Sequence, residues 1–141
     1  MSDEESRDGF LREPNVAVLA TVSRGGRAHA APIWYLYQDG AFVMSTGRGS
    51  QKHRNVEANP EITLVVDRRS LPYYAVMAQG AAEIGPPLSD DQRMKMAVRY
   101  LGEERGRAYI TRTSGEGSVT IRLRPRRLIE YHGRAGRTES G

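Results

Sequence analysis

The sequence predicts a small, mainly β protein in which about six antiparallel strands close into a barrel, accompanied by two or three helices. Short β-branched and apolar runs recur along the 141 residues, and tight glycine-containing turns join most of them. The chain has the length of one domain and shows neither an internal repeat nor a linker. Meandering antiparallel strands of this number usually close into a barrel, because closure removes exposed strand edges.

The first half of the chain contains three predicted strands, at residues 15–23, 28–38 and 41–46. Their β-branched and apolar composition is typical of strands. Arg-Gly-Gly-Arg and Asp-Gly turns join them as hairpins, since glycine adopts a positive φ at little cost. Pro32 cannot donate a ladder hydrogen bond, which predicts a sheet edge or a bulge at that point. A short helix is predicted before them, over residues 5–13.

Three further strands are predicted in the second half, at residues 61–67, 73–84 and 118–131. Gly80 lies inside the second of these strands, and it indicates a bulge or a close approach of another backbone segment. In the last strand, apolar residues alternate with polar ones from residue 119 to residue 124. This period of two predicts a strand with one buried face.

Two helical stretches are predicted between these strands. Ser50 is expected to cap a helix over residues 51–58, which an Asn-Pro pair then ends. Ser89 and Gln92 form a capping box for a second helix, and a further helical piece continues to about residue 113. We therefore expect one domain over residues 1–132, followed by a flexible polar tail over residues 133–141.

The segment between the third and fourth strands is typical of a phosphate-binding loop. Two glycines, two hydroxyl residues and three cations separate two apolar runs. They are Gly47, Gly49, Thr46, Ser50, Arg48, Lys52 and Arg54. Glycines let a ligand approach the backbone, and the first N–H groups of a helix favour an anion. Lys52 is one of two lysines among 21 cationic residues, so a compositional preference for arginine does not explain it. An ordinary strand-to-helix loop with solvated cations is the alternative.

Other familiar sites are excluded by pattern. The loop is not a Walker motif, and Lys52 replaces the third glycine that a dinucleotide fingerprint requires. His29, His53 and His132 do not have metal-ligand spacing with a carboxylate, so no metal is expected. There is no nucleophile elbow, and the absence of cysteine excludes thiolate chemistry. A phosphate pocket without catalytic side chains indicates that the ligand brings the chemistry, as flavins do.

Charge and hydropathy limit the partners and the compartment. The formal net charge is +4 with a pI of about 9.7, which favours anionic partners in general. The arginines are spread along the chain without a helix-turn-helix, zinc-finger or RNP pattern, so nucleic acid is not the expected partner. No apolar stretch is long enough to span a membrane, and the acidic N-terminus is unlike a signal peptide. A cytoplasmic protein is the simplest interpretation.

The order of segments resembles the pyridoxamine-phosphate-oxidase-like split β-barrel proteins. The resemblance is carried by FLREPNVAVLATVSRGGRAHAAPIWYLYQDG, STGRGSQKHRNVEANPEITLVVD, PYYAVMAQGAAEI, RYLGEERGRAYI and VTIRLRPRRL, in that order, over residues 10–128. Among these proteins the chain looks most similar to the actinobacterial deazaflavin (coenzyme F420)-dependent oxidoreductases. The resemblance implies an FMN-binding-like split β-barrel and a homodimer with cofactor sites at the subunit interface.

The resemblance also implies which residues bind the cofactor. Those expected at the cofactor phosphate are Thr46, Arg48, Ser50, Gln51, Lys52 and Asn55. Those expected along the tricyclic ring, mostly through their backbone, are Ala31, Pro32, Ile33 and Trp34. From the residues alone, the aromatic cluster that includes Trp34 is more typical of a core or an interface than of a cofactor wall. The strand around residues 74–79 of the other subunit would complete the pocket.

Two departures argue against pyridoxamine phosphate as the substrate. Strand two carries Ala-Ala-Pro-Ile-Trp-Tyr where such oxidases have an Arg-x-Val-Leu-Leu-Lys run, and the C-terminal segment lacks their tryptophan. Coenzyme F420 carries a phosphate and a polyglutamate tail, both of which suit an arginine-rich groove. The resemblance therefore favours F420 over FMN as the cofactor, with FMN as the alternative.

The implied reaction is hydride transfer from C5 of reduced F420 to an unsaturated small-molecule acceptor, with the protein supplying orientation and shielding. The proton would come from solvent or from Tyr35, His29 or Arg54. Quinones, biliverdin-like tetrapyrroles, unsaturated lipids and aflatoxin-like coumarins all remain open as acceptors, and no catalytic side chain is assigned. The alternatives are an FMN-dependent oxidoreductase of the same fold and an F420-binding protein without turnover.

Overall fold

The computed structural model describes residues 2–133 and 137–140, and these form four helices and nine strands. The helices are α1 (Asp3–Leu11), α2 (Gln51–Ala58), α3 (Asp90–Leu101) and α4 (Glu103–Arg112). The strands are β1 (Ala17–Val22), β2 (Ala28–Ile33), β3 (Leu36–Gln38), β4 (Ala41–Gly47), β5 (Glu61–Arg68), β6 (Tyr74–Gly85), β7 (Ser118–Leu123), β8 (Arg127–Tyr131) and β9 (Arg137–Ser140). The mainly β class with a curled antiparallel sheet is confirmed.

The structure has more strands than the six expected, because two predicted strands are each divided. Residues 28–38 form β2 and β3, which are separated at Trp34 and Tyr35. Residues 118–131 form β7 and β8, which are separated around Pro125, a residue that cannot donate to a ladder. Both divisions allow the chain to leave one neighbour in the sheet and join another. The fourth helix arises because Gly102, with a φ of 87°, divides the predicted helical stretch after α3.

Part of the predicted tail is also a strand. Arg137–Ser140 form β9, which pairs antiparallel with β8 from Leu128 to Tyr131. An ion pair between Arg127 and Glu139 at 2.7 Å accompanies the pairing. These four residues of the predicted tail therefore take part in the sheet, and the flexibility of the tail over residues 133–141 stays a prediction. Residues 134–136 and 141 lie outside the described part of the chain, and the domain boundary at residue 132 stays a prediction.

The long strand β6 joins the two parts of the sheet. The sheet order is β2-β1-β5-β6-β7-β4-β3, and β8 also pairs with β6. The first part of β6 pairs with β5 and β8, whereas its last residues, Ala82–Gly85, pair with β7. Gly80 lies just before this change of partner. A Cβ there would lie 3.1 Å from the backbone nitrogen of Arg126, so the predicted close backbone approach is confirmed.

The sheet encloses one large apolar cluster, and a smaller one lies outside it. Fully buried members of the large cluster include Tyr35, Phe42, Leu19, Leu64 and Ile121. The smaller cluster packs α3 against the outer face of β3 and β4. It consists of Leu36, Val43, Leu88 and Met96, with Trp34 and Tyr100 packed against it. No helix in residues 2–133 or 137–140 has the length and apolar character needed to cross a membrane.

Three phenols, two of them buried and one partly buried, predict how stability depends on pH. Burial raises the pKa of Tyr35, Tyr37 and Tyr74 above the usual value, and the nearby Asp8 and Glu130 carboxylates add to the shift at Tyr37 and Tyr74 respectively. In the unfolded chain these phenols ionise near pH ~10. Stability is therefore fully present below that pH and is lost as the pH rises further, because the unfolded state releases more protons.

We expect phenolate absorbance from these three residues to appear together with the loss of folded circular dichroism in an alkaline titration. The variant Tyr35→Phe provides the control, because it should make the decline of the free energy of unfolding above pH ~10 shallower. An unchanged slope in Tyr35→Phe would contradict the assignment.

Candidate functional site

The segment 46–52, which we call the anion loop, connects β4 to α2 in a fixed conformation. Gly49 has a φ of 81°, a region that favours glycine. The Arg48 N–H donates to the Gly117 carbonyl at 2.7 Å, and the Gly49 N–H donates to His53 Nδ1 at 2.8 Å. Ser50 caps α2 as predicted, since its side chain accepts from the His53 N–H at 3.2 Å. The loop is therefore held at both ends by hydrogen bonds.

The anion loop offers several hydrogen-bond donors. The hydroxyls of Thr46 and Ser50 lie 3.0 Å apart and share one hydrogen bond. Whichever of them donates, one hydroxyl hydrogen remains for a ligand. The N–H groups of Gln51 and Lys52 begin α2 and have no acceptor in the described part of the chain. These hydroxyl and backbone N–H donors thus lie at or next to the first turn of α2.

The charge around the start of α2 favours an anion. Its first turn contains no acidic residue, whereas the first turns of α1, α3 and α4 each contain two or three. Carboxylates in the first turn normally balance the positive end of a helix dipole. At α2 the nearby charges are the cations Arg48 and Lys52. Neither side chain makes a hydrogen bond or ion pair with any residue that the structure describes.

Behind the loop, three polar side chains connect α2 to β1, and two of them, Asn55 and Thr21, are buried. Gln51 Nε2 donates to Asn55 Oδ1 at 2.6 Å, and Asn55 Nδ2 donates to Thr21 Oγ1 at 3.0 Å. Asn55 is 1% exposed, so its side chain is a support for α2 and does not face solvent. Arg54 donates to the Gly49 carbonyl and to Gln51 Oε1, both at 2.6 Å. Of the predicted phosphate residues, the structure brings the hydroxyls of Thr46 and Ser50 together and buries Asn55 behind the loop, whereas Arg48 and Lys52 lie two residues before and after Ser50 along the chain. Their role in binding a phosphate stays a prediction.

Loss of the Asn55 side chain is expected to destabilise the fold. The variant Asn55→Ala leaves the buried Thr21 hydroxyl without its donor and should lower the free energy of unfolding by about 1–3 kcal/mol. Chemical denaturation measures this change. Lys52→Ala, on the same helix, is the control and should stay within about 0.5 kcal/mol of the wild type. Equal midpoints for Asn55→Ala and wild type would contradict the supporting role.

Arg24 is a neighbour of the site that no sequence pattern indicates. A groove of about 520 Å³ lies between the β1–β2 turn and α2, and its lining includes Arg24, Gln51, Arg54 and Asn55. The side chain of Asn59 holds the turn in place by donating to the carbonyls of residues 22 and 23 at 3.0 and 2.9 Å. The sequence shows Arg24 in a turn, but its distance along the chain from the anion loop gives no signal that the two meet.

The predicted ring-binding residues separate into two groups. Ala31 and Pro32 lie on β2, which is at the edge of the sheet, as expected for Pro32. Ile33 is buried in the large cluster, whereas Trp34 stacks on Tyr100 with ring centroids 4.7 Å apart. Within one chain, Trp34 is the one of these four that borders a cavity also lined by Thr46 and Gly47. The role of all four in binding a ring stays a prediction.

The candidate proton donors differ in their access to this region. The Tyr35 hydroxyl donates to the Leu11 carbonyl at 2.8 Å inside the core, and burial raises the pKa of Tyr35, so it is unsuited to donate a proton. Arg54 is committed to the loop by two hydrogen bonds. His29 lines a different groove, next to Thr21, and its buried Nδ1 has no partner among the described residues. In residues 2–133 and 137–140, no group of three or more acidic or histidine residues has the arrangement of a metal site.

Comparisons with known proteins identify relatives over nearly the whole chain. A family model for pyridoxamine 5'-phosphate oxidase matches residues 3–135. A pyridoxine/pyridoxamine 5'-phosphate oxidase from Rubrobacter xylanophilus is 32% identical over 132 residues, which are 93% of this chain and 58% of that protein. The chain therefore spans less than two thirds of the length of this relative.

Solved structures share the fold. One is described as an F420 reductase; it has 25% sequence identity and a TM-score of 0.72, and the match covers 86% of this chain and 94% of the other. A heme-binding protein from Mycobacterium smegmatis has 21% identity and a TM-score of 0.68, with coverage of 93% and 56%. Because proteins described by different ligands share this fold, the fold alone does not decide the cofactor.

Proposed function

Because the chain belongs to the pyridoxamine 5'-phosphate oxidase family, we propose that it is an F420-dependent oxidoreductase that binds the cofactor phosphate in the anion loop. The observation that carries this proposal is the donor set at the start of α2. A hydroxyl hydrogen, two backbone N–H groups and the cationic residues Arg48 and Lys52 belong to this short segment, and no carboxylate occupies the first turn. Such a set matches the free acceptor oxygens and the negative charge of a phosphate.

The groove beside the anion loop supports F420 over FMN. Two cations, Arg24 and Arg54, and one acid, Glu57, line it beside Gln51, so a chain of carboxylates attached to a bound phosphate would meet an excess of positive charge there. The polyglutamate tail of F420 has this chemistry, and FMN lacks it. The similarity to a structure described as an F420 reductase agrees with this choice. FMN remains the alternative cofactor because the phosphate contacts alone would accept either.

The residues of the chain would bind and orient the cofactor. Thr46, Arg48, Ser50 and Lys52 would hold the phosphate, with Asn55 and Gln51 supporting α2 from beneath. When bound, reduced F420 supplies a hydride for an unsaturated acceptor. The chain would fix the position of the reacting groups and exclude water, which are the contributions expected where no acid–base side chain is available. We leave the proton donor as solvent.

A second copy of the chain would complete the site. On the edge strand β2, Ala28, Ala30 and Pro32 are exposed and small, so another surface can approach closely. Ala31, Pro32, Ile33 and Trp34 would then border the ring from one subunit, mostly through their backbone, and the strand at residues 74–79 would border it from the other. This homodimer is part of the proposal.

The test is a pair of fluorescence titrations of the purified protein, one with F420 and one with FMN. Tight binding of F420 with weak binding of FMN is the expected result. A preference for FMN would instead indicate a flavin-dependent enzyme of the same fold, and failure to bind either would overturn the assignment of the anion loop. If F420H2 binds but no acceptor in a screen of quinones, tetrapyrroles, unsaturated lipids and coumarins oxidises it, the result favours an F420-binding protein without turnover.

A further inference from the structure

A cavity of about 360 Å³ lies between the outer face of the sheet and the helices α3 and α4. It shares Thr46 and Gly47 with the anion loop region, and Trp34 borders it as well. Its volume lies in the range of pockets that hold small molecules. The cavity continues the smaller apolar cluster, because Leu88 and Met96 belong to both.

The lining of this cavity is mainly apolar, with hydroxyls and one charge. Apolar side chains come from α3, α4 and the segment before α3: Leu88, Met96, Ala97 and Ile110. The indole of Trp34 adds a flat aromatic surface, which its stacking on Tyr100 at an interplanar angle of 7° holds in one orientation. Rigid aromatic and aliphatic walls of this kind favour a planar, apolar ligand.

Arg93 is the charged residue of the lining, and its position is fixed. Its side chain is 14% exposed, and Nη2 donates to Thr113 Oγ1 at 3.0 Å. It lies over Gly115, where a Cβ would be 2.9 Å from Arg93 Cδ, so the absence of a side chain at Gly115 makes room for it. Its carboxylate neighbour, Asp90, is 3.6 Å from Nη1 and almost fully exposed, which leaves guanidinium N–H groups for a ligand.

We propose that this cavity binds a small planar, apolar molecule that carries a carboxylate or another acidic group, with the acid at Arg93 and the flat body beside Trp34. Bidentate pairing of a guanidinium with a carboxylate gives the preference for an acid. The identification of this molecule as the hydride acceptor rests on the proposed function, because Thr46 connects the cavity to the anion loop. The binding itself does not require the cofactor.

The test uses Trp34, the single tryptophan of the chain, whose indole N–H gives one NMR cross-peak. Naphthalene-2-carboxylate, naphthalene-2-carboxamide and naphthalene-2-methylammonium are titrated into the cofactor-free protein. We expect the carboxylate to shift the Trp34 peak with an affinity about tenfold higher than the carboxamide, and the ammonium compound to bind least. No shift of the peak with any of the three probes would overturn the proposal.

Variants distinguish the contribution of the Arg93 charge to probe binding from the contribution of the cavity space. Arg93→Met is expected to remove the tenfold preference for the carboxylate, whereas Arg105→Met, which removes an exposed charge of α4, should retain it. Ser45 also lines the cavity, so Ser45→Leu is expected to fill it and to weaken the binding of all three probes. A preference that survives in Arg93→Met would contradict the role of the guanidinium.

The proposal for the cavity and the proposal for the cofactor site can be tested independently of each other. Arg48→Ala with Lys52→Ala should leave the response of Trp34 to naphthalene-2-carboxylate unchanged. If the probe binds but neither F420 nor FMN does, the proposed function is wrong and the cavity assignment stands. If F420 binds and the probe does not, the opposite conclusion follows.

Discussion

The double variant Arg48→Ala, Lys52→Ala is expected to bind F420 about 100-fold more weakly than the wild type. Each cation would donate a charge-assisted hydrogen bond to the cofactor phosphate, and such bonds contribute about 1.5–3 kcal/mol each. Loss of two of them therefore corresponds to a factor of roughly 100 or more in the dissociation constant. A fluorescence titration with F420 measures this factor directly.

The matched control removes one lysine and one arginine charge at positions away from the anion loop. Lys95→Ala with Arg105→Ala changes one lysine and one arginine that are exposed on α3 and α4. This variant should bind F420 within about threefold of the wild type at an ionic strength of about 0.15 M, because distant exposed charges are screened. If both double variants lose affinity equally, the effect is one of overall charge. If neither does, the phosphate is not bound at the anion loop.

The second large effect is expected at Gly106, where α4 crosses α3. A Cβ on this residue would lie 2.8 Å from both the N and Cα atoms of Val98 and 2.9 Å from Val98 Cγ2. Two of these atoms are backbone, so a rotamer change cannot relieve the contact and the helices must separate. Overpacking of this kind costs about 1–3 kcal/mol. We therefore expect Gly106→Ala to lower the melting temperature by several degrees, as measured by circular dichroism.

Gly9→Ala is the control for this prediction. Gly9 is also helical, in α1, but a Cβ there would meet nothing within 4 Å. Alanine in an open helical position should stabilise the protein by about 0.5–1 kcal/mol relative to glycine. Opposite signs for the two variants would show that the α3–α4 contact, and not helix propensity, decides the result. A Gly106→Ala variant as stable as Gly9→Ala would contradict the close contact.

Local sequence signals predicted the starts of α2 and α3 and the glycine-containing loop between β4 and α2. Ser50 and Ser89 cap these helices as expected, because an N-cap depends on residues within one turn of it. The Gly80 contact was also predicted, since a glycine inside a strand often marks a place where another backbone segment approaches closely. These features depend on a few consecutive residues, and the sequence contains them directly.

Features that depend on distant partners were missed. The division of residues 28–38 into β2 and β3 follows from a change of sheet neighbour, from β1 to β4, whereas the local signal at Pro32 predicts only an edge or a bulge. Arg24 meets Gln51 across the groove only because the β1–β2 turn folds against α2. The stacking of Trp34 on Tyr100 of α3 was not predicted either. Strand composition does not say which helix covers a given face.

The dual pairing of β6 has a consequence for how the protein unfolds. Its residues Tyr74–Ala81 pair with β5, and partly with β8, whereas Ala82–Gly85 pair with β7, so both parts of the sheet depend on one strand. Neither part can open far without breaking the ladder of the other. The amide hydrogens in the middle of β6 should therefore exchange with solvent only through global unfolding. Their exchange rate should then report the free energy of unfolding of the whole domain. The domain would then unfold as one cooperative unit, although its sheet consists of two parts.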